Sequence, residues 1–328
     1  MAILVTGSAG RVGSKVVQRL LDEGNLVTGF DLKPSVINHR NYREVVGSFD
    51  DRTAAANAVE GTTAILHLGA FMSWLPADAE KLHRANVDGT RVLLEQAARV
   101  KPERILFASS GEVYPENVPD YLPVDEEHPL KPRSSYGLTK LLGEEIVRFF
   151  ERTSGIPATI LRFSHTQDAA ELLDPSSFFS GPRFFLHAKI RQQENLGNTA
   201  AVQRLMAVDD GREALVVSRN ENGRPFKMHI TDTRDMIDGI LLALKSPKAA
   251  GRTYNLGATT PVDFAEALPL MAKMTDLPLK TVDLPGSGVY YETSNARIRE
   301  ELGFDPKWTI ERMISEAAAA RAARAKVA

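Results

Sequence analysis

Ile3-Leu4-Val5-Thr6-Gly7-Ser8-Ala9-Gly10-Arg11-Val12-Gly13 decides the fold: a buried-strand run breaks into glycines three apart and continues as an amphipathic helix. Gly7 lets the chain turn sharply off the strand, Gly10 admits backbone N–H groups close to a pyrophosphate, and Gly13 lets the helix pack against the sheet. The helix N-terminus then faces the anion. A glycine triplet alone would suit any tight turn before a helix. Asp31 strengthens the dinucleotide reading, because it follows the apolar run Leu26 to Phe30 at the distance where a carboxylate accepts hydrogen bonds from an adenosine ribose. The same carboxylate repels a 2′-phosphate, so NAD is expected over NADP, with Lys33 nearby keeping the choice open.

At 328 residues the chain exceeds the size at which one hydrophobic core keeps growing, which predicts two lobes sharing a cleft. A net charge of -2 gives no electrostatic footprint for nucleic acid or an anionic membrane. With no cysteine, disulfides, thiolate nucleophiles and zinc–cysteine sites are excluded. The run Ala2 to Val5 is too short for a signal segment, and no apolar stretch reaches transmembrane length, so a cytoplasmic location is expected.

Short apolar runs alternate with helical patterns through the first half, the signature of βαβ units and a parallel sheet. The fold class expected is α/β, a Rossmann-type doubly wound sheet with a smaller C-terminal substrate-binding lobe. Strands are predicted at Ala2 to Thr6, Leu26 to Phe30, Glu44 to Val46, Ala64 to Leu68, Arg104 to Ala108 and Ala158 to Arg162. Helices are predicted at Val12 to Glu23, Asp51 to Val59, Ala77 to Val100 and Ser134 to Thr153. Residues 1–165 form the NAD-binding domain, and 166–328 form mainly the substrate lobe, with 226–257 returning to the first. Residues 166 to 224 mix Pro, Gly, Asn and aromatics without a clean period and read as irregular. Asp232 reads as a helix N-cap. The Ala-rich tail after Trp308, with Arg321, Arg324 and Lys326, reads as a solvated surface helix.

Tyr136 and Lys140 lie four apart at the start of a predicted helix, so their side chains share a face. A phenol titrates near pH 10. An adjacent ammonium and a nicotinamide cation would both favour the phenolate, making a general base. Ser110 falls at the carboxyl edge of the sheet, where ligands bind in open α/β folds, and its hydroxyl could bond the same substrate oxygen.

These motifs together resemble the extended short-chain dehydrogenase/reductases of the NAD-dependent sugar epimerase/dehydratase type, over nearly the whole chain. The resemblance implies a cofactor loop at Gly7, Gly10, Arg11, Val12 and Gly13, and an adenine contact at Asp50 in Ser48-Phe49-Asp50. It implies a turn under the cofactor at Leu68, Gly69 and Ala70, with Ala108 nearby. Asn86 in Asn86-Val87-Asp88-Gly89-Thr90 would support the active site, and Ser109-Ser110-Gly111-Glu112-Val113-Tyr114 would supply the catalytic serine, Ser110. Tyr136 and Lys140 would be the base and its partner, and both would touch the cofactor.

The chain also departs from that pattern. Dehydratases of this family carry Asp-Glu after the catalytic residue, where this chain has Gly111-Glu112, which counts against a 4,6-dehydratase. Nucleotide-sugar members put Tyr-Gly-Pro after the sixth strand, where this chain runs Arg162-Phe163-Ser164-His165-Thr166-Gln167. Some hold the substrate diphosphate with an Arg where this chain has Pro225, one place from Arg224. A free sugar or sugar acid thus enters as a candidate substrate beside a nucleotide sugar.

Gly111 and Glu112 are expected near the substrate. His165 reads equally as a cofactor or substrate contact and as a polar residue of the cleft wall. Arg183 reads first as a surface arginine, with a bidentate clamp on a substrate carboxylate or phosphate as the alternative. Phe184 and Phe185 read as lobe core. His128 and His187 lack ligand spacing, so no metal is expected. The helices Ala77 to Val100 and Ser134 to Thr153 carry surplus apolar positions, including Leu93, Leu94, Leu141, Leu142, Ile146, Phe149 and Phe150, and the resemblance implies that two copies pair them as a homodimer. The function expected is hydride transfer to and from a secondary alcohol carbon of a carbohydrate. Overall resemblance favours an epimerase, a net dehydrogenase is the alternative, and a non-catalytic dinucleotide sensor would be expected to lack the Tyr/Lys pair.

Overall fold

The computed structural model describes residues 1–325. Its centre is a seven-stranded parallel sheet. The strands are β1 (Ala2–Thr6), β2 (Leu26–Asp31), β3 (Tyr42–Val46), β4 (Ala64–His67), β5 (Arg104–Ser110), β6 (Ala158–Phe163) and a late arrival, Thr253–Leu256. The spatial order is β3-β2-β1-β4-β5-β6, closed by Thr253–Leu256 beside β6. Chain order reverses between β1 and β4, and that switch point opens the crevice in which doubly wound folds bind ligands.

Near-continuous apolar strands fit a sheet covered on both faces. Leu4, Ile65, Leu66, Ile105 and Leu106 are fully buried. Helix α1 (Arg11–Asp22) puts Val16, Val17, Leu20 and Leu21 against one face, while α2 (Arg52–Val59), capped by Asp51, covers the other with Ala54, Ala55, Ala58 and Val59. The segment Thr233–Lys245 packs on the α1 side, so residues 233–256 lie with the sheet. Ile298, inside the helix Ala296–Leu302, and Phe304, just past it, join the same core. Asp232 caps Thr233–Lys245, accepting from Arg234 N at 2.9 Å.

The helix Ser135–Ser154 begins at Ser134, whose Oγ accepts from Gly137 N at 2.9 Å, and ends at Gly155 with φ +72°. It lies tight on β5: a Cβ on Gly143 would come 2.6 Å from the Phe107 ring, and one on Gly137 2.3 Å from the Glu112 carbonyl oxygen. The predicted helix Ala77 to Val100 is broken into Ala79–His83, a π-helical turn Arg84–Asp88 and Gly89–Val100. Such turns often mark functional sites. Here the turn carries Asn86.

Residues 166–224 are more regular than their composition suggests. They hold the helices Leu186–Asn195 and Thr199–Met206 and the strand Leu215–Arg219, which pairs in parallel with Leu279–Asp283. Phe184 and Phe185 are lobe core beside Leu172, Leu186, Leu215 and Phe264. The tail helix Ile310–Ala325 is not merely a solvated surface helix: Met313, Ile314 and Ala317 are buried in that core, and Arg321 and Arg324 donate to the carbonyls of Leu173 and Ala170 at 3.3 Å. Lys326 lies outside the described residues. Of the apolar positions singled out for pairing, Leu93, Leu94 and Phe150 are buried within the protomer. Leu142 and Phe149 are exposed and share a face with exposed Leu138.

Candidate active site

A cleft of about 1240 Å³ lies between the lobes, along the carboxyl edge of the sheet. Its dinucleotide end is built from glycine backbone. Gly7 has φ +68°, and a Cβ on it would sit 2.6 Å from Gly69 Cα; a Cβ on Gly13 would sit 2.0 Å from the Gly7 carbonyl oxygen. The loops after β1 and β4 therefore touch only because both lack side chains, and Gly10 leaves the mouth of α1 bare. Asp31 lines the cleft while accepting from the backbone N–H groups of Ala9 at 3.1 Å and Lys33 at 3.2 Å. Both carboxylate oxygens keep lone pairs for a ribose diol. Val12, Leu68 and Ala70 supply apolar walls. These residues fit a dinucleotide.

Arg11 also lines the cleft, but its guanidinium is engaged, 2.5 Å from Glu171 of the other lobe and over the Phe179 ring. Asp50, expected at the adenine, is turned away. Its carboxylate takes Ser48 Oγ and, at 2.6 Å, Arg84 Nε, and Ser48 and Phe49 face the cleft instead. Asn86 does not line the cleft either. Buried in the π-helical turn, it exchanges two 2.8 Å hydrogen bonds with the Phe71 backbone and donates to Thr139 Oγ1 at 3.0 Å. Thr139 in turn donates to the Tyr136 carbonyl at 2.8 Å. Asn86 is thus a positioning residue, tying the loop after β4 to the turn that presents Tyr136.

Ser110, Tyr136 and Lys140 all line the cleft. Ser110 ends β5 and caps the short turn Gly111–Val113 by accepting from Glu112 N at 3.1 Å, which leaves its own hydrogen to donate. Lys140 is buried, and its Nζ donates to the Ala108 carbonyl at 2.6 Å, 6.0 Å from the Tyr136 ring centroid. Burial pulls its pKa down to about 8, with Glu144 acting the other way. The phenol differs from the sequence expectation. Burial, and then the Glu112 carboxylate, push Tyr136 above its ordinary range rather than below it. The positive charge that favours a phenolate has to outweigh both.

Glu112 accepts from Ser134 Oγ and, at 3.1 Å, from Trp74 Nε1. Trp74 stacks on Phe178, bringing the loop after β4 against the substrate lobe. His165 lies in the cleft wall with Arg183 Nη1 donating to its Nε2 at 2.7 Å; burial and that guanidinium hold its pKa well below the ordinary value. The same Nε2 lies 3.2 Å from Gln167 Oε1. Ala108, Gly111 and Arg183 also line the cleft. His187 faces Asp209 at 3.2 Å and Glu213 at 3.7 Å, acids that sequence spacing did not connect to it. Among the described residues, no group of three or more His, Asp or Glu is placed to hold a metal ion. No helix among them is long and apolar enough to cross a membrane.

Sequence reasoning missed Lys189, Glu116, Asn117 and Trp74 as cleft residues. Lys189 had one signal: it falls on the phase of Leu186 and Ile190, the buried side of its helix.

A glycine cradle, a carboxylate at the end of β2 and a Ser/Tyr/Lys set on one sheet edge fit a dinucleotide-dependent enzyme. The NAD dependent epimerase/dehydratase family model matches residues 3–257, and the chain belongs to that family. It is an enzyme of the extended short-chain dehydrogenase/reductase type, and its cofactor is NAD. A short-chain dehydrogenase/reductase superfamily protein from Agrobacterium tumefaciens, solved with bound NAD, is 59% identical, with a TM-score of 0.96 over 100% of this chain and 99% of that one. A dTDP-glucose 4,6-dehydratase of Streptomyces niveus is 28% identical over 94% of this chain and 88% of its own length. A UDP-glucose 4-epimerase of Streptococcus mutans is 26% identical over 97% and 96%.

Proposed function

We propose that the protein oxidises a secondary alcohol of a free sugar or sugar acid, with Tyr136 as general base. The observation that carries this reading is the convergence of Ser110, Tyr136 and Lys140 on the wall of a cleft whose other end fits a dinucleotide. Bound NAD supplies the hydride acceptor. Ser110 donates to the substrate oxygen and orients it. Tyr136 removes the hydroxyl proton at its phenolic oxygen while Lys140, fixed by the Ala108 carbonyl, supplies positive charge beside the ring.

Net oxidation, rather than the epimerisation that overall resemblance favours, is supported by Arg224. That side chain is exposed, lies over the Tyr290 ring at 4.1 Å and donates to Ser287 O at 3.1 Å, away from the cleft lining. A diphosphate would have no grip there, so a small oxidised product is free to leave. The epimerase reading retains the support of the epimerase relatives. Incubation with NAD and a panel of free sugars, sugar acids and sugar nucleotides separates the two: stoichiometric NADH absorbance establishes a dehydrogenase, whereas product without NADH establishes an epimerase.

Asp31→Ala is expected to weaken NAD binding by about tenfold or more, the effect of losing hydrogen bonds to a charged acceptor, and to narrow discrimination against NADP. Titration of cofactor fluorescence checks it. We also propose a homodimer through the face carrying Leu138, Leu142 and Phe149, of which Phe149 is 61% exposed. Phe149→Asp would put a charge in that apolar interface, and light scattering is expected to report a monomer for the variant and a dimer for the wild type.

A further inference from the structure

The cleft contains a basic pair that the oxidation step does not use. Arg11, Lys33, Lys140, Arg183 and Lys189 are the lysines and arginines lining it. Lys33 stands beside Asp31 at the adenosine end, Arg11 is paired with Glu171, and Lys140 is bound to the Ala108 carbonyl. Lys189 is only 5% exposed, and among the described residues its ammonium has neither a hydrogen bond nor an ion pair. Arg183 donates to His165 at 2.7 Å and to the Phe179 carbonyl at 3.5 Å, and among the described residues no carboxylate lies at ion-pair distance from it. Burial and then Arg183 bring Lys189 down to about 7. Glu116 lines the same cleft, raised to about 8 by burial and then by Glu112, with Arg183 acting the other way.

A cationic side chain in a cleft wall with no ion-pair partner costs stability and persists where something else requires it. We infer that Lys189 and Arg183 form a carboxylate-binding subsite and that the substrate is a sugar acid. This inference rests on the oxidoreductase reading of the same cleft. A guanidinium takes a carboxylate in two parallel hydrogen bonds, the ammonium adds a point charge, and Asn117 Oδ1, buried without a partner, is left to accept from a sugar hydroxyl. A diphosphate is disfavoured because the other arginines of this lobe edge are committed elsewhere, Arg219 to Asp283 at 2.6 Å and Arg224 to Ser287 and Tyr290.

The test uses the full-length enzyme and D-gluconate, D-galactonate and D-galacturonate, each beside its primary amide, with D-galactose 6-phosphate and UDP-galactose as phosphate probes. Binding is read as a thermal shift in the presence of NADH, and turnover as NADH formation from NAD. At least one acid is expected to bind about tenfold or more tighter than its amide, as loss of charged hydrogen bonds predicts. Lys189→Met is expected to raise the ligand-free Tm by about 2 °C, because a buried charge is removed, and to abolish the preference for the acid through KM. Lys189→Arg is expected to keep it. Should Lys189→Met fail to fold, Arg183→Gln reads the same preference.

Equal binding of acids and amides, a preference that survives Lys189→Met, tighter binding of either phosphate probe, or no binding by any acid would each overturn the subsite. NADH formed from acid and amide alike leaves the oxidoreductase reading standing and removes the subsite. Acid-selective binding without NADH formation does the reverse.

Discussion

Tyr136→Phe is expected to lower kcat by about a hundredfold to ten-thousandfold, the range lost with a positioned general base, while NAD affinity stays near that of the wild type. The ring remains to pack against its surroundings, and only the proton acceptor disappears. The pH profile carries a second part of the same argument. Tyr136 must lose its proton, and burial with Glu112 makes that harder than for a free phenol; Lys140 must keep its proton, and burial has brought it down to about 8. Oxidation should therefore speed up as pH rises through neutrality and stop gaining near the Lys140 value, where the ammonium that favours the phenolate is itself neutralised. Steady-state NADH formation on the substrate identified by the panel measures both. Turnover within a few-fold of wild type in Tyr136→Phe would remove the catalytic assignment.

The parts of this site that were legible in the sequence are those where backbone geometry dictates residue type. Gly7, Gly13 and Gly69 are glycines because a Cβ would collide with neighbouring backbone, and such constraints leave a spacing that can be read along the chain. Tyr136 and Lys140 were legible because one helical turn separates them. The partner of Asp50 was not legible, for the opposite reason. Its carboxylate is drawn to Arg84, a neighbour 34 positions away that nothing in the local sequence reveals. Asn86 was recognised, but its route of action was not, since a π-helical turn is invisible to a period of 3.6 residues. Residues 166–224 read as irregular because their helices are short and because Lys189 puts a charge on the buried side of one of them. A local rule broken at a cleft is the kind of conflict that functional sites impose.

Breaking the pair beneath the catalytic edge should have the largest effect on stability. Glu144 is fully buried and Arg162 is 3% exposed; Arg162 Nε and Nη2 donate to the two Glu144 oxygens at 2.9 and 2.8 Å. Ser109 Oγ donates to the same carboxylate at 2.6 Å, and Arg162 Nη1 reaches Tyr114 OH at 2.7 Å. Burial raises the Glu144 pKa, but these donors and the Arg162 charge prevail and hold it below the ordinary value. Its contribution to stability is therefore present above pH 4.5 and lost as pH falls through the lower folded value. Arg162→Met leaves a buried carboxylate without its main partner, and Glu144→Leu leaves a buried guanidinium; each is expected to cost about 3–5 kcal/mol in denaturant unfolding. The double variant should recover much of that loss, because two apolar side chains of similar volume replace two desolvated charges. Activity should not recover with it. The carboxylate links the helix that carries Tyr136 and Lys140 to Ser109, one residue before Ser110, so its loss loosens the catalytic groups relative to one another even when the fold is stable. A double variant that regained both Tm and kcat would show that the pair contributes stability alone.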